Sequence, residues 1–559
     1  MSSATSNGDH PWGIPIDECT PIKVICIGAG MSGIQTGIAF PQKIKNLDLT
    51  IYEKNADVGD IPSHSYQYTY ASNPDWSKFY ASGKEMLGYL RAVAKRYDVL
   101  KYIQFGHQFK SAKWLEEQGK WEVTLLRLSD NQEIKDYADV FIKATGLLNS
   151  WDWPKIPGLH DFKGKLLHSA DWDESYDVTG KRVAVIGYGS SALQIVPTIQ
   201  PIVKSLHNFV RGPSWISPNG PGADEVKARG GTDNFEHSEE ERREFREHPE
   251  KYHAFRHKIE AQLNRAQLVT FRGSDANKAF GEATDNSMRE RLAKKPEIYK
   301  ALRPDYPIVC KRISPGPRYL EALCQDNVEF VPRGVQSVTE TGVFDDDGKF
   351  VEVDVIVCAT GFDELTIGTR NLGSKDAVIT GRGGVTLSEM WNPDPFAYYS
   401  MCPKNMPNFF LYLGPNGAPG AGSTIHMIEF TSEFMIKCVQ KLQREHLKSM
   451  TVSDRALNAW QKQLDRYFAK TTFTYTCKSW AKRNQENGRV IALWPGSSVH
   501  ARFALSNPRW EDFEYESWAK DDDLAWLGSG LTLAQESGGF TTAYLDEVDM
   551  PPFLDAVKQ

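Results

Sequence analysis

Two short runs place glycines after an apolar stretch at the spacing that lets a backbone approach a phosphate. They are Gly28-Ala29-Gly30-Met31-Ser32-Gly33 and Gly187-Tyr188-Gly189-Ser190-Ser191-Ala192. In such a run the first glycine permits a tight turn and the second admits a pyrophosphate. The third lets helix and strand pack closely, and the helix N-terminus attracts the phosphate charge. Alanine in the third place, as at Ala192, is an accepted variant. Glu53 stands about twenty residues beyond the first motif, at the end of the next apolar run, where a carboxylate takes ribose hydroxyls. The second unit has no acid there; Arg211 occupies the place, which suits a 2′-phosphate. An acid in one unit and an arginine in the other imply two cofactors: FAD in the first and NADPH in the second, with hydride passing from nicotinamide to flavin. The plainer alternatives are a structural glycine turn for the first motif and a surface arginine for Arg211.

The elements that must position these residues are legible in the pattern. "IKVICIGAGMSGIQTGIAF" reads as strand, glycine turn and helix, and "LDLTIYEK" as the next strand, the opening of a parallel βαβ unit. "WEVTLL" and "DVFIKATG" add strands. "KRVAVIGYGSSALQIVPTI" and "SLHNFVRG" repeat the first pattern. "DVIVCATGFD" ends in Ala359-Thr360-Gly361, the same shape as the Ala144-Thr145-Gly146 of "IKATG". From about Gly220 to Pro304 the chain is charged and helical in period, and the charge run is read as a solvated face. The fold class is α/β: two dinucleotide-binding (Rossmann-like) domains with a helical insertion. Residues 1–20 are expected to form a flexible arm, 21–160 with 385–559 the FAD-binding domain, 161–225 with 305–384 the NADP-binding domain, and 226–304 the insertion.

Composition bounds the class. A chain of 559 residues that is 40% hydrophobic and 25% charged is ordinary for a globular protein. A net charge of −7 argues against a nucleic-acid surface. The eight cysteines include no C-x-x-C pair, so neither zinc nor a redox dithiol is suggested and no metal is expected. Cys26 and Cys358 lie in apolar runs, as small hydrophobes do. A cytoplasmic, reducing compartment is the simplest reading. The N-terminus has neither the basic nor the apolar region of a signal peptide, and no run approaches the ~20 apolar residues of a membrane span.

The stretch "FKGKLLHSADWD" then decides the class. Through Phe162, Gly164, His168, Trp172 and Asp173 it resembles the fingerprint Phe-x-Gly-x-x-x-His-x-x-x-Trp-Asp/Pro of Baeyer–Villiger monooxygenases, and it lies between the two glycine motifs as it does in that family. "ATGLLNSWDWPKIPGL", "VRGPSW", "CKRISPGPRYLEAL", "PNFFLYLGPNGAPGAGS" and a tail similar to fungal members from secondary metabolism extend the resemblance over nearly the whole chain. Ala481 replaces the usual tyrosine of that tail. The resemblance implies that NADPH reduces FAD and that the reduced flavin takes O₂ to a C4a-peroxide, which attacks a ketone to give an ester or lactone. It implies Arg312, preceded by Lys311, as the cation beside the flavin, with Asp60 as its acidic partner. Ser32, Glu53, Tyr66 and Phe109 would line the FAD site. Ser190, Ser191, Arg211 and Lys311 would hold NADP, and His168 of the fingerprint belongs with the cofactor-binding residues. The partners are a small ketone and O₂; the oligomeric state and the ketone's identity stay open.

One departure stands out. Members of the family run from the ribose acid through Gly-Gly-Thr-Trp and a Tyr-Pro-Gly turn to an Asp followed by Ser-x-x-Tyr-x-Tyr. Here Gly59 meets Asp60 directly, and the Gly-Thr-Trp…Tyr-Pro-Gly flavin loop is absent. Glu53 to Asp60 is seven residue steps, at most about 25 Å when extended, comparable to the length of FAD. Two other readings therefore stand beside Baeyer–Villiger oxidation. One is N- or S-oxygenation by the same cofactors, which the Trp172-Asp173 ending disfavours. The other is a flavin-poor inactive variant caused by the deletion.

Overall fold

The computed structural model describes residues 13–55, 66–146, 148, 150–217, 223–230, 234–362, 377–520 and 522–545. The elements that bear on the site begin, in chain order, with β1 (Ile22–Ile27), α1 (Met31–Lys43), β2 (Leu47–Tyr52), β3 (Ile103–Gln104), β4 (His107–Leu115), β5 (Lys120–Arg127), β6 (Gln132–Ala138) and β7 (Val140–Lys143). They continue with β8 (Lys165–His168), β9 (Arg182–Ile186), α2 (Ser190–Ile199), β10 (Ser205–Phe209), α3 (Glu239–Glu247), α4 (Pro249–Arg265) and α5 (Asp275–Arg291). The last are β11 (Val328–Val331), β12 (Val355–Cys358), β13 (Phe409–Leu411) and α6 (Thr424–Arg444).

Two parallel sheets result. The first runs β13-β7-β1-β2-β3, with Ile27 in register with Tyr52 on one side and Lys143 on the other. The second runs β11-β10-β9-β12-β8, and Cys358 is in register with both Ile186 and His168. These strands read as nearly unbroken apolar runs because each sheet is covered on both faces. Val24 and Cys26 pack towards Ile34 and Ile38 of α1. Ile25 and Ile27 face the other way, onto Phe109, Trp114, Trp121 and Val123 of the antiparallel meander β4-β5-β6. In the second sheet Val183 and Val185 pack with Leu193 and Val196 of α2, while Ala184 and Ile186 pack with Phe209 and Ile356. Each fully buried side chain of this kind contributes about 1.5–3 kcal/mol.

The charge run is solvated, as its composition predicts: α3 carries a Ser238–Glu241 capping box and buries none of its residues. α4 buries only Tyr252 and Ile259. No described helix is long and apolar enough to cross a membrane, and no cluster of metal-ligating residues occurs among the described residues. The cysteines hold a feature their spacing does not announce. Cys310 and Cys477, separated by 167 residues, form a disulfide, while six others are free.

Candidate functional site

The first glycine turn is built by exclusion. Gly28 has φ +106°, and a Cβ there would lie 2.6 Å from the Ala144 carbonyl oxygen, so a side chain is refused on strain and on space. Gly33 abuts the Gly28 carbonyl in the same way, which lets α1 approach β1. Gly30 caps α1 with no side-chain hydrogen bond, and the first turn holds no acid. The N–H donors of that turn are left to an external acceptor. Glu53, beyond β2, is buried: one carboxylate oxygen accepts from Ala29 N–H at 2.9 Å and the other from Asn55 N–H at 2.8 Å. Ser32 is buried in the first turn of α1.

The second turn repeats the construction. Gly187 has φ +117°, and a Cβ there would overlap the carbonyl of Ala359. The two Ala-Thr-Gly segments thus serve one purpose: each sets an alanine carbonyl against the first glycine of a motif. Gly189 caps α2, again without a side-chain cap or an acid in the first turn. Ser190 Oγ lies 3.0 Å from Ser314 Oγ, and Ser191 is half-buried beside it. Lys311 Nζ donates to Tyr188 Oη at 3.2 Å and sits 5.1 Å from the Tyr306 ring centroid. The structure therefore brings Lys311, distant in sequence, onto the second glycine turn. Arg211 follows β10 and is exposed; its stem lies against Gly334, where a Cβ would come 3.1 Å from Arg211 Cγ.

Of the fingerprint residues, His168 reaches the strand end behind this turn, through Thr360. Phe162 is buried, and Gly164 has no room for a side chain because the Asp354 carbonyl and the Phe162 ring occupy it. His168 ends β8 fully buried, stacked on Trp151 at 4.2 Å with the rings 9° apart, and edge-on to Trp153 at 5.6 Å. Ala170 N–H donates to its Nδ1 at 3.1 Å, so Nε2 carries the proton and faces Thr360 Oγ1 at 3.3 Å. Burial lowers its pKa, which favours this neutral form. Asp173 accepts from Lys165 Nζ at 2.5 Å, and that bond pulls its pKa down to about 2.

The remaining expected residues separate. Tyr66 is half-buried, its hydroxyl 3.4 Å from Thr424 Oγ1 at the start of α6. Phe109 is buried on β4, its ring 5.7 Å from that of Phe141 in the core of the first domain. Arg312 is exposed, and no hydrogen bond or ion pair engages it among the described residues. Asp60 and the junction with Gly59 lie outside the described residues. Beside Tyr66 is a buried polar group that the sequence pattern does not signal. Thr69 donates from N–H at 2.8 Å and from Oγ1 at 2.9 Å to Glu429 of α6. His426 Nδ1 lies 3.9 Å from Glu260 Oε2 of α4. Desolvation raises the Glu260 pKa to about 7 and drives that of His426 down to about 4.

Two glycine turns, each closed by an Ala-Thr-Gly carbonyl, with uncapped helix N-termini and an acid in one unit against cations in the other, define a protein with two dinucleotide sites. Comparison with known proteins agrees. Residues 63–219 match the family model described as flavin-binding monooxygenase-like. The chain is 37% identical over 542 residues to the FAD-binding monooxygenase tazF of Aspergillus terreus, covering 94% of each chain. It is 31% identical over 488 residues to a Baeyer–Villiger monooxygenase of Pseudomonas aeruginosa, covering 85% of this chain and 88% of the other. Its fold matches that of cyclohexanone monooxygenase from Rhodococcus sp. Phi1, solved with NADP+, with a TM-score of 0.73 at 24% identity over 89% of this chain and all of the other. The chain belongs to the flavin-dependent monooxygenase family that includes the Baeyer–Villiger enzymes.

Proposed function

We propose that the protein is an FAD- and NADPH-dependent monooxygenase that converts a ketone, O₂, NADPH and a proton into an ester or lactone, NADP+ and water. The observation that carries this reading is the pair of glycine turns of like construction, with Glu53 at one and Lys311 and Arg211 at the other. When bound, FAD supplies the oxygen-transfer chemistry. The chain's own residues bind and orient. The N-terminus of α1 receives the FAD pyrophosphate, and Glu53 takes the ribose hydroxyls in place of one of its backbone donors. The N-terminus of α2 with Ser190 and Ser191 receives the NADP pyrophosphate, and Arg211 and Lys311 neutralise its 2′-phosphate. Arg312 serves as the cation beside the flavin, with Asp60 as its acidic partner, and an exposed guanidinium without a competing partner among the described residues suits that role. The ketone would enter between the insertion and α6. Placement in fungal secondary metabolism rests on the resemblance of the tail to fungal members of the family, and the similarity to a fungal FAD-binding monooxygenase supports it. A cytoplasmic location belongs to the same proposal; the six free cysteines support it, and the Cys310–Cys477 bond runs against it.

The test is the purified protein, FAD-loaded, incubated with NADPH and a panel of cyclic and aryl ketones. The expected result is a yellow protein that consumes NADPH and yields a product 16 mass units heavier than the ketone. A yellow protein that oxidises NADPH to NADP+ while reducing an equal amount of O₂ to hydrogen peroxide, with no oxygenated product across the panel, overturns the oxygenation reading and favours the uncoupled variant that the Gly59–Asp60 junction suggests.

A further inference from the structure

Lys143 is the one charged residue in an otherwise apolar strand. Val140, Phe141 and Ile142 of β7 are buried, and by register Lys143 stands between Ile27 of β1 and Leu411 of β13. Strand alternation puts it on the face of Phe141, whose ring packs with those of Phe109, Trp121 and Phe409. The strand end is firmly held: Ala144 N–H donates to Ile27 O at 2.8 Å, and Tyr412 N–H donates to Lys143 O at 2.9 Å. Among the described residues the ammonium has no hydrogen bond and no ion pair. The residue is half-buried, with some surface open, yet protein surrounds it so densely that desolvation alone pulls its pKa down to about 8. A cation so placed disfavours the folded chain by itself. Leucine or methionine would suit the packing better.

Its position says what it awaits. Ile27, its register partner, leads directly into Gly28. Ala144, its neighbour, sets its carbonyl against Gly28. Lys143 therefore lies one residue from the first phosphate turn, at the carboxyl edge of a parallel sheet, where α/β folds bind ligands. We propose that Lys143 is a cofactor-binding residue whose ammonium completes, from β7, the anion cradle that the N-terminus of α1 begins, and so receives the pyrophosphate of FAD. This rests on the reading of the first turn as the FAD site. The cradle then holds a side-chain cation as well as backbone donors, which neither the glycine motif nor Glu53 provides.

The consequence has opposite signs in the two states of the protein. Without cofactor the lysine is a burden; with it, the lysine is a ligand. Full-length wild type, K143M and K143R are titrated with FAD by flavin fluorescence, and with ADP and adenosine by calorimetry. K143M is expected to bind FAD and ADP about 10- to 100-fold more weakly, the loss of one charged hydrogen bond. Adenosine, which lacks the pyrophosphate, should bind unchanged, and K143R should recover most of the affinity. Flavin-free K143M should melt no lower than flavin-free wild type. Unchanged FAD and ADP affinity in K143M overturns the proposal. So does an equal loss for ADP and adenosine accompanied by a lower melting temperature, which would make Lys143 a packing residue. If wild type takes up no FAD, the function proposed above fails, while the ADP–adenosine comparison still decides the role of Lys143.

Discussion

Gly28 and Gly30 stand two residues apart and are needed for different reasons. At Gly28 the backbone is left-handed and the Ala144 carbonyl fills the place of a Cβ. At Gly30 the backbone is extended and nothing lies within 4 Å of an added Cβ. Gly28→Ala should therefore destabilise the flavin-free protein by about 1–3 kcal/mol, read by denaturant unfolding. Gly30→Ala should leave that stability within about 0.5 kcal/mol and weaken FAD binding at least about tenfold, because its methyl group stands where the phosphate approaches. The same contrast is expected between Gly187 and Gly189 with NADPH. Equal effects of the two alanines on stability would show that the turn is held by something other than the Ala-Thr-Gly carbonyl.

Helices α4 and α6 meet through groups that titrate. Glu260 faces Arg256 on its own helix and His426 and Glu429 on α6, with Arg502 acting on His426 from the C-terminal region. Its pKa of about 7, against an ordinary 4.5, means that the folded protein holds a proton which the unfolded chain releases earlier. Below pH ~4.5 both states are protonated and the group contributes nothing; through the window from about 4.5 to 7 the unfolded chain binds fewer protons, so stability falls as pH rises. The full loss, on the order of 3 kcal/mol, is present above about pH 7. His426, held down to about 4 by burial, contributes the opposite slope between about pH 4 and 6.5, so the two largely offset there. Glu260→Gln should therefore make the unfolding free energy rise with pH over that window, and an unchanged profile between pH 5 and pH 8 would place the titration elsewhere. Such pairings explain what was legible in the sequence. The strands were, because apolar runs buried on both faces need no partner to be recognised. The positions of Glu53 and Arg211 just past β2 and β10 were, because strand ends follow from those runs. Phe109 is expected at the flavin from the family resemblance; that its ring packs on Phe141 follows from which way β4 alternates. Lys143 gives no signal inside "DVFIKATG", since its isolation appears only once β1 and β13 flank it. Glu260 and His426 come from segments far apart in the chain, and no spacing announces their meeting.

At the scale of the molecule, one covalent link joins the second dinucleotide unit to the C-terminal region. Cys310 stands directly before Lys311 and Arg312, and its disulfide partner Cys477 is 167 residues away. The residue before Cys310, Val309, has φ +68°, a left-handed conformation that a β-branched side chain adopts only when its surroundings impose it. Arg272 of the insertion fastens the same C-terminal region: its Nε donates to Thr471 O at 2.8 Å, and its guanidinium lies 4.3 Å from the Tyr475 ring centroid. The bond thus fixes the start of the segment that carries Lys311 onto Tyr188. Opening it frees a long loop in the unfolded chain and lets Val309 relax in the folded one. A Cys310→Ser, Cys477→Ser double variant, or wild type treated with a dithiol, is expected to lose about 2–4 kcal/mol of stability. Its melting temperature should fall, and its KM for NADPH should rise several-fold while FAD affinity holds, because the first dinucleotide turn lies in a different sheet. A double variant with wild-type melting temperature and wild-type KM would show that noncovalent contacts alone, the Lys311–Tyr188 hydrogen bond and the Arg272 clamp among them, hold the Lys311 segment in place.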